Sequence, residues 1–162
     1  EKGAEVIVPV PTWSTYIEQI KLSEAKPVFV YLKEPFALTV EDLKKQITPK
    51  TKAIILNSPS NPTGAIIDKE QLIKIARLAV KNNIFIISDE IYEKIIFNKG
   101  HCSIASLGEK IRNLTITING FSKSHAMTGW RVGYAAGPKK IIEAMISLQT
   151  QTTSNTSSIS KM

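Results

Sequence analysis

The sequence predicts an α/β fold, a mostly parallel sheet with helices on both faces, and three observations predict it. Short, continuous apolar runs rich in β-branched residues, such as residues 53–56 and 84–87, read as strands buried on both sides. Stretches with apolar residues at helical spacing separate those runs, so each strand is followed by a crossover that lays a helix on the sheet. Polar motifs containing Pro and Gly stand where the strands end, and parallel sheets bind ligands beyond the carboxyl ends of their strands.

Each element has its own signal. Residues 6–10 read as the first strand, 15–22 as a short helix, and 28–32, with β-branched and aromatic side chains, as the second strand. Thr39, with Asp42 three residues on, resembles a capping box in which Asp replaces Glu or Gln. It opens a helix through about residue 47 that ends before Pro49. A buried strand over 53–56 leads to a long helix capped by Asp68, whose apolar face holds Leu72, Ile75, Ala76 and Ala79. Residues 84–87 form the next strand, completing a strand–helix–strand unit, and 114–118 and 132–136 follow as strands. Pro138 suits the first turn of a last helix running to about Leu148. The Ser-, Thr-, Gln- and Asn-rich tail over 149–160 reads either as a polar helix end with a loop or as a segment whose packing partner lies elsewhere. With neither an internal repeat nor a low-complexity linker, the chain reads as one domain.

Bulk properties narrow the function classes. A chain of 162 residues with 43% hydrophobic content can bury a real core. No apolar run approaches a membrane span, and the charged start lacks the pattern of a signal peptide, so the expectation is no membrane partner and a cytoplasmic location. Cys102 stands alone, excluding an internal disulfide; His101 and His125 are too few and too far apart for a zinc site without carboxylate help, so no metal is expected. The net charge of +7 is carried mainly by dispersed lysines, with arginine only at positions 77, 112 and 131. No basic face interleaved with aromatics is readable, so nucleic acid is not an expected partner, whereas a small anionic ligand is compatible with the charge.

The chemistry concentrates at three strand ends. Lys123 lies in Gly120-Phe121-Ser122-Lys123-Ser124, ahead of Met127-Thr128-Gly129-Trp130-Arg131. An amine that attacks a carbonyl must shed its proton, which favours a partly buried position with a cationic neighbour, a part Arg131 can fill. Asp89 closes an apolar strand in Ser88-Asp89-Glu90-Ile91-Tyr92. It is either a structural cap or a functional carboxylate, and burying it without a partner is costly enough to favour a cationic partner. Asn57-Ser58-Pro59-Ser60-Asn61-Pro62-Thr63-Gly64 ends another strand, although Asn before Pro also favours an ordinary turn.

Taken together, Pro11-Thr12-Trp13, Asn61-Pro62-Thr63-Gly64, Ser88-Asp89-Glu90-Ile91-Tyr92, Ser122-Lys123 and the run from Met127 to Tyr134 resemble, in order and spacing, a fold-type I, class I pyridoxal-phosphate aminotransferase. The pattern is closest to the bacterial aspartate aminotransferases, some of which also accept prephenate. The resemblance implies pyridoxal 5'-phosphate as cofactor and Lys123 as the residue that forms an aldimine with it and shuttles the substrate proton. It further implies that Asp89 pairs with the pyridine nitrogen, that Asn61 and Tyr92 donate to the cofactor phenolate, and that Ser122 and Arg131 help cradle the phosphate. By the same resemblance Trp13 stacks on the ring, with Ser124 as an additional candidate donor to the phosphate.

The activity so implied moves an amino group from an amino acid, most simply aspartate, to a 2-oxo acid such as 2-oxoglutarate, in a parent that is a homodimer. Aromatic, alanine or kynurenine aminotransferases and carbon–sulfur lyases share most of these residues and stay open, as does a truncated domain without catalysis. By the same resemblance, residues 1–162 cover the central part of the cofactor-binding large domain. The N-terminal segment and the small domain, with the arginine that clamps the substrate α-carboxylate, lie outside them, and the isolated piece is expected to be inactive.

Overall fold

The computed structural model describes residues 2–97 and 100–161. The chain begins with β1 (Glu5–Val10), α1 (Thr15–Leu22), β2 (Lys26–Tyr31), α2 (Val40–Lys44), β3 (Thr51–Asn57) and α3 (Lys69–Asn82). It continues with β4 (Phe85–Asp89), α4 (Glu109–Arg112), β5 (Thr115–Gly120), β6 (Gly133–Ala136) and α5 (Lys139–Thr152), with short 3-10 turns at Ile104–Leu107, Thr128–Trp130 and Ile159–Lys161. The strands form one six-stranded sheet in the order β2-β1-β3-β4-β5-β6. All neighbours pair in parallel except β5 and β6, which are antiparallel.

The alternation of side chains along each strand feeds two cores. Ile7, Ile54, Leu56, Ile84 and Ile86 pack on one face with Leu43 of α2 and with Leu72, Ile75, Ala76 and Ala79 of α3. Val8 and Ile55 point the other way, against Tyr16 and Ile20 of α1. Helices therefore cover both faces, as the continuous apolar strands require. The four α3 residues named from sequence form its buried face, and each large one buried contributes about 1.5–3 kcal/mol.

Local signals explain most element ends. The Thr39 hydroxyl accepts from the Asp42 amide and the Asp42 carboxylate accepts from the Thr39 amide, so the capping box forms with Asp in the third position. The helix it opens stops at Lys44, short of residue 47, because the chain turns through Gln46 and then into a Thr48–Thr51 turn around Pro49. Asp68 occupies the N-cap of α3 with an extended backbone but makes no side-chain capping bond, a correction to the capping role read from sequence. Asn83 ends α3 in the left-handed conformation, where Asn is tolerated.

The order of strands positions the site. After β1 the chain steps outward to β2 and then returns to place β3 on the other side of β1, so the strand order reverses between β1 and β3, where open α/β sheets leave a crevice. Asn57 of β3 lies in register with Asp89 of β4, and Asp89 with Ile118 of β5. Three strand ends thus deliver their following loops to the same edge.

Candidate active site

A cleft of about 250 Å³ opens at that edge, lined by Trp13, Tyr16, Asn57, Asn61, Asp89, Ile91, Tyr92, Ile118 and Lys123. Five of the seven residues nominated from sequence, Trp13, Asn61, Asp89, Tyr92 and Lys123, meet here, although they are spread across 111 positions of chain. Loops after β1, β3, β4 and β5 each contribute.

Asp89 is the most constrained of them. It is 9% exposed, its Oδ2 accepts a short hydrogen bond from the Tyr16 hydroxyl, and its Oδ1 accepts from the Ile91 amide at 3.1 Å. The protein itself supplies no cation to this carboxylate among the described residues. Among the described residues the carboxylate is met by a phenol and a backbone N–H, with no lysine or arginine in ion-pair range. Those two donors reduce the cost of burying the charge without cancelling it. Tyr16, itself 6% exposed, is held well above the ordinary phenol range, first by burial and then by its hydrogen bond to Asp89 and the charge there, so it stays a proton donor.

Sequence reading passed over Tyr16 and gave Asn57 no role of its own. Tyr16 sits in the first turn of α1, three residues after Trp13, and meets its ring edge-on at 5.3 Å. The available signal was a tyrosine placed to bury its ring beside an unpaired strand-end carboxylate. Asn57 binds both neighbouring segments: its Nδ2 donates to the Asp89 carbonyl at 3.2 Å and its Oδ1 accepts from the Asn61 amide at 2.7 Å. That pair of bonds fixes the Asn61 loop against β4. Two cis peptide bonds, Ser58–Pro59 and Asn61–Pro62, shape the loop, and Gly64 turns it back with φ +71°.

The remaining polar groups face the cleft without protein partners. The Asn61 side-chain amide, the Tyr92 hydroxyl and the Lys123 amine make no hydrogen bond among the described residues, yet all three line the same cavity. This is a donor set suited to an anionic aromatic ligand. Lys123 is exposed and Trp13 is 45% exposed, so the cleft is open on their side and the partly buried amine expected from sequence is not what the structure shows.

Ser122 and Arg131 do not line the cleft. Arg131, in the left-handed conformation at φ +54°, donates from Nη1 to the Thr128 carbonyl at 2.8 Å, and the Thr128 hydroxyl donates to the Ser122 carbonyl at 2.9 Å. The expected cationic neighbour of Lys123 is therefore turned toward its own loop. Gly120 sets where that loop leaves the sheet. A Cβ there would stand 3.0 Å from the Val132 carbonyl oxygen and 3.2 Å from Ile91 Cδ1, close enough that the neighbours would have to give by a few tenths of an ångström.

Behind the cleft, Glu90 is 3% exposed and accepts from Ser88 Oγ at 2.9 Å, Ser103 Oγ at 2.8 Å and His101 Nε2 at 3.0 Å. Burial alone raises its pKa, but the hydrogen bonds from His101, Ser103 and Ser88 together outweigh it and hold the carboxyl below its ordinary value. This network anchors the strand end next to Asp89.

Comparison with known proteins agrees with the geometry. The family described as "Aminotransferase class I and II" matches residues 1–162. The aspartate aminotransferase of Bacillus sp. strain YM-2 is 51% identical over 99% of this chain, which spans 42% of that enzyme's length. Among solved structures, the aspartate aminotransferase of Thermus thermophilus with maleate superposes with a TM-score of 0.94 at 42% identity, over 99% of this chain and 42% of that one. The aromatic aminotransferase of Pyrococcus horikoshii superposes at 0.92 with 43% identity, over 96% of this chain and 42% of that one. A family match along every residue, half-identity to one relative and a shared six-stranded fold converge on one assignment: this chain belongs to the class I and II aminotransferases.

Proposed function

We propose that this chain is the central part of the cofactor-binding large domain of a pyridoxal-phosphate-dependent aminotransferase that moves the amino group of an amino acid, aspartate being the first choice, to a 2-oxo acid such as 2-oxoglutarate. The single observation that carries the reading is the convergence of Trp13, Asn61, Asp89, Tyr92 and Lys123 on one cleft. The residues present fit the cofactor: a buried carboxylate that meets no cation among the described residues, an aromatic ring at the mouth, and two neutral donors beside an amine.

Pyridoxal 5'-phosphate, when bound, supplies the electron sink for the pair left at the substrate α-carbon. Asp89 would hold a proton at the ring nitrogen, and the Tyr16 hydroxyl, donating to Oδ2, keeps that carboxylate oriented. Asn61 and Tyr92 would donate to the phenolate oxygen, and Trp13 would cover one face of the ring. Lys123 Nζ takes a proton from the substrate α-carbon and returns one on the far side of the reaction. Ser122 and Arg131 are proposed for the phosphate, a role that requires the Arg131 guanidinium to leave the Thr128 carbonyl. By the same reading residues 1–162 are the central part of the large domain, the working enzyme is a homodimer, and its compartment is the cytoplasm; the charge pattern supports no nucleic-acid partner, and no helix among the described residues is long and apolar enough to cross a membrane.

The test is product analysis on the full gene product with a panel of amino donors and 2-oxoglutarate. Glutamate formed in step with loss of aspartate supports the proposal. Release of free ammonia without glutamate would assign the site to lyase chemistry instead.

A further inference from the structure

Ser124 follows the proposed nucleophile in sequence, and its hydroxyl joins two segments delivered by different strands. Its Oγ donates to the Ile91 carbonyl at 3.0 Å and accepts from the Lys94 amide at 3.4 Å. Ile91 and Lys94 belong to the turn after β4, which carries Tyr92 and begins beside Asp89, the last residue of that strand. Among the described residues, no other hydrogen bond ties residues 121–126 to residues 89–95. The rest of the Lys123 loop is bonded to itself and to Val132: His125 and Met127 donate to the Phe121 carbonyl, Ala126 to the Lys123 carbonyl, and Phe121 to the Val132 carbonyl.

We propose that Ser124 is a positioning residue that fixes the Lys123 backbone against the turn that bears Tyr92 and follows Asp89. A lysine amine sits at the end of a long flexible stem, so its reach is set by where its own Cα is held. Pinning the next residue to the Ile91 carbonyl sets that origin relative to the carboxylate and the phenol, and misplacement by a fraction of an ångström is enough to slow a proton transfer. The bridge needs a group that both donates and accepts, which Thr supplies and Ala does not. Ser124 is thereby occupied within the protein, and the further phosphate-donor role considered from sequence gives way to this one.

The inference rests on the proposed role of Lys123, and the experiment separates the two. In the full gene product loaded with cofactor, kcat, KM for the amino donor and the pH midpoint of the lysine–cofactor absorbance band are measured for the parent, Ser124→Ala, Ser124→Cys, Ser124→Thr and Lys123→Ala. Losing a bridge of ordinary strength predicts a kcat lowered about fivefold in Ser124→Ala with KM within about twofold. The absorbance midpoint moves upward as the Tyr92 turn loosens, and Ser124→Thr restores both. Ser124→Cys, a weaker donor of similar size, falls between and serves if the alanine variant does not fold. Wild-type kcat and midpoint in Ser124→Ala, or a loss that threonine fails to restore, overturns the positioning role while the lysine reading stands. A band that persists in Lys123→Ala overturns the lysine reading and this proposal with it.

Discussion

Asp89 and Glu90 are adjacent buried carboxylates with opposite surroundings, and the contrast separates their roles. Glu90 is ringed by two hydroxyls and an imidazole, whereas Asp89 keeps one phenol and one amide and faces the cleft. Removing the phenol by Tyr16→Phe deprives a buried charge of a donor and is expected to cost about 2 kcal/mol, read as a lowered urea midpoint at neutral pH. For Glu90 the sign of the pH effect follows from its lowered pKa. The folded state binds a proton there less readily than the unfolded chain, whose value is near 4.5, so the stabilisation is complete above that value. It is lost as pH falls through the lowered folded value. Unfolding midpoints taken between about pH 6 and pH 3 should therefore decline less steeply in Glu90→Gln than in the parent chain; parallel curves would remove the ascribed role of the network. At this scale, the convergence of Lys123, Asp89, Asn61 and Tyr92 on one cleft was legible because each stands in a polar motif at the end of an apolar strand, and the motifs taken together, in order and spacing, are distinctive. Tyr16 and Asn57 were not, because their role is to hold other residues across 73 and 32 positions of chain, a relation no local pattern encodes.

The elements rest on interactions of different reach. In α2 the helix is a five-residue segment held open by its cap, so Thr39→Ala, which removes the hydroxyl that accepts from the Asp42 amide and leaves the backbone arm in place, should lower stability by about 1 kcal/mol in chemical unfolding. In α3 packing contributes most. Ile75 is fully buried between the helix and the sheet, and Ile75→Ala should cost about 3 kcal/mol, a difference large enough to separate the two substitutions in one urea series. The same distinction explains which boundaries could be read. The limits of α1 and the apolar face of α3 follow from periodicity and agree with the structure. The ends of β2, β3 and β5 lie one to two residues from the expected positions because pairing with a neighbour, not the apolar run, decides where a strand stops. The short helix Glu109–Arg112 and the turn before it carried too few residues for any period to emerge.

For the molecule as a whole, the cleft is built from four strand-end loops but contains only one cation among the described residues. Lys123 lines it, and none of Arg77, Arg112 and Arg131 does. A substrate α-carboxylate therefore finds no forked charge-assisted partner in this cleft, and assay of the isolated chain with aspartate and 2-oxoglutarate should show little or no turnover. The exposure of Lys123 and the outward turn of Arg131 belong to the same picture: the depth of a site depends on everything packed around it, which the local sequence of a loop does not specify. The overall class was readable because continuous apolar strands alternating with amphipathic helices admit few arrangements, while the antiparallel placement of β6 became visible only in the sheet itself. The most direct measurement is borohydride reduction of the full gene product after incubation with pyridoxal 5'-phosphate, followed by peptide mapping of the pyridoxyl group. The account predicts a single label on Lys123, lost in Lys123→Ala. A label on any other side chain, or an unlabelled protein, would contradict it.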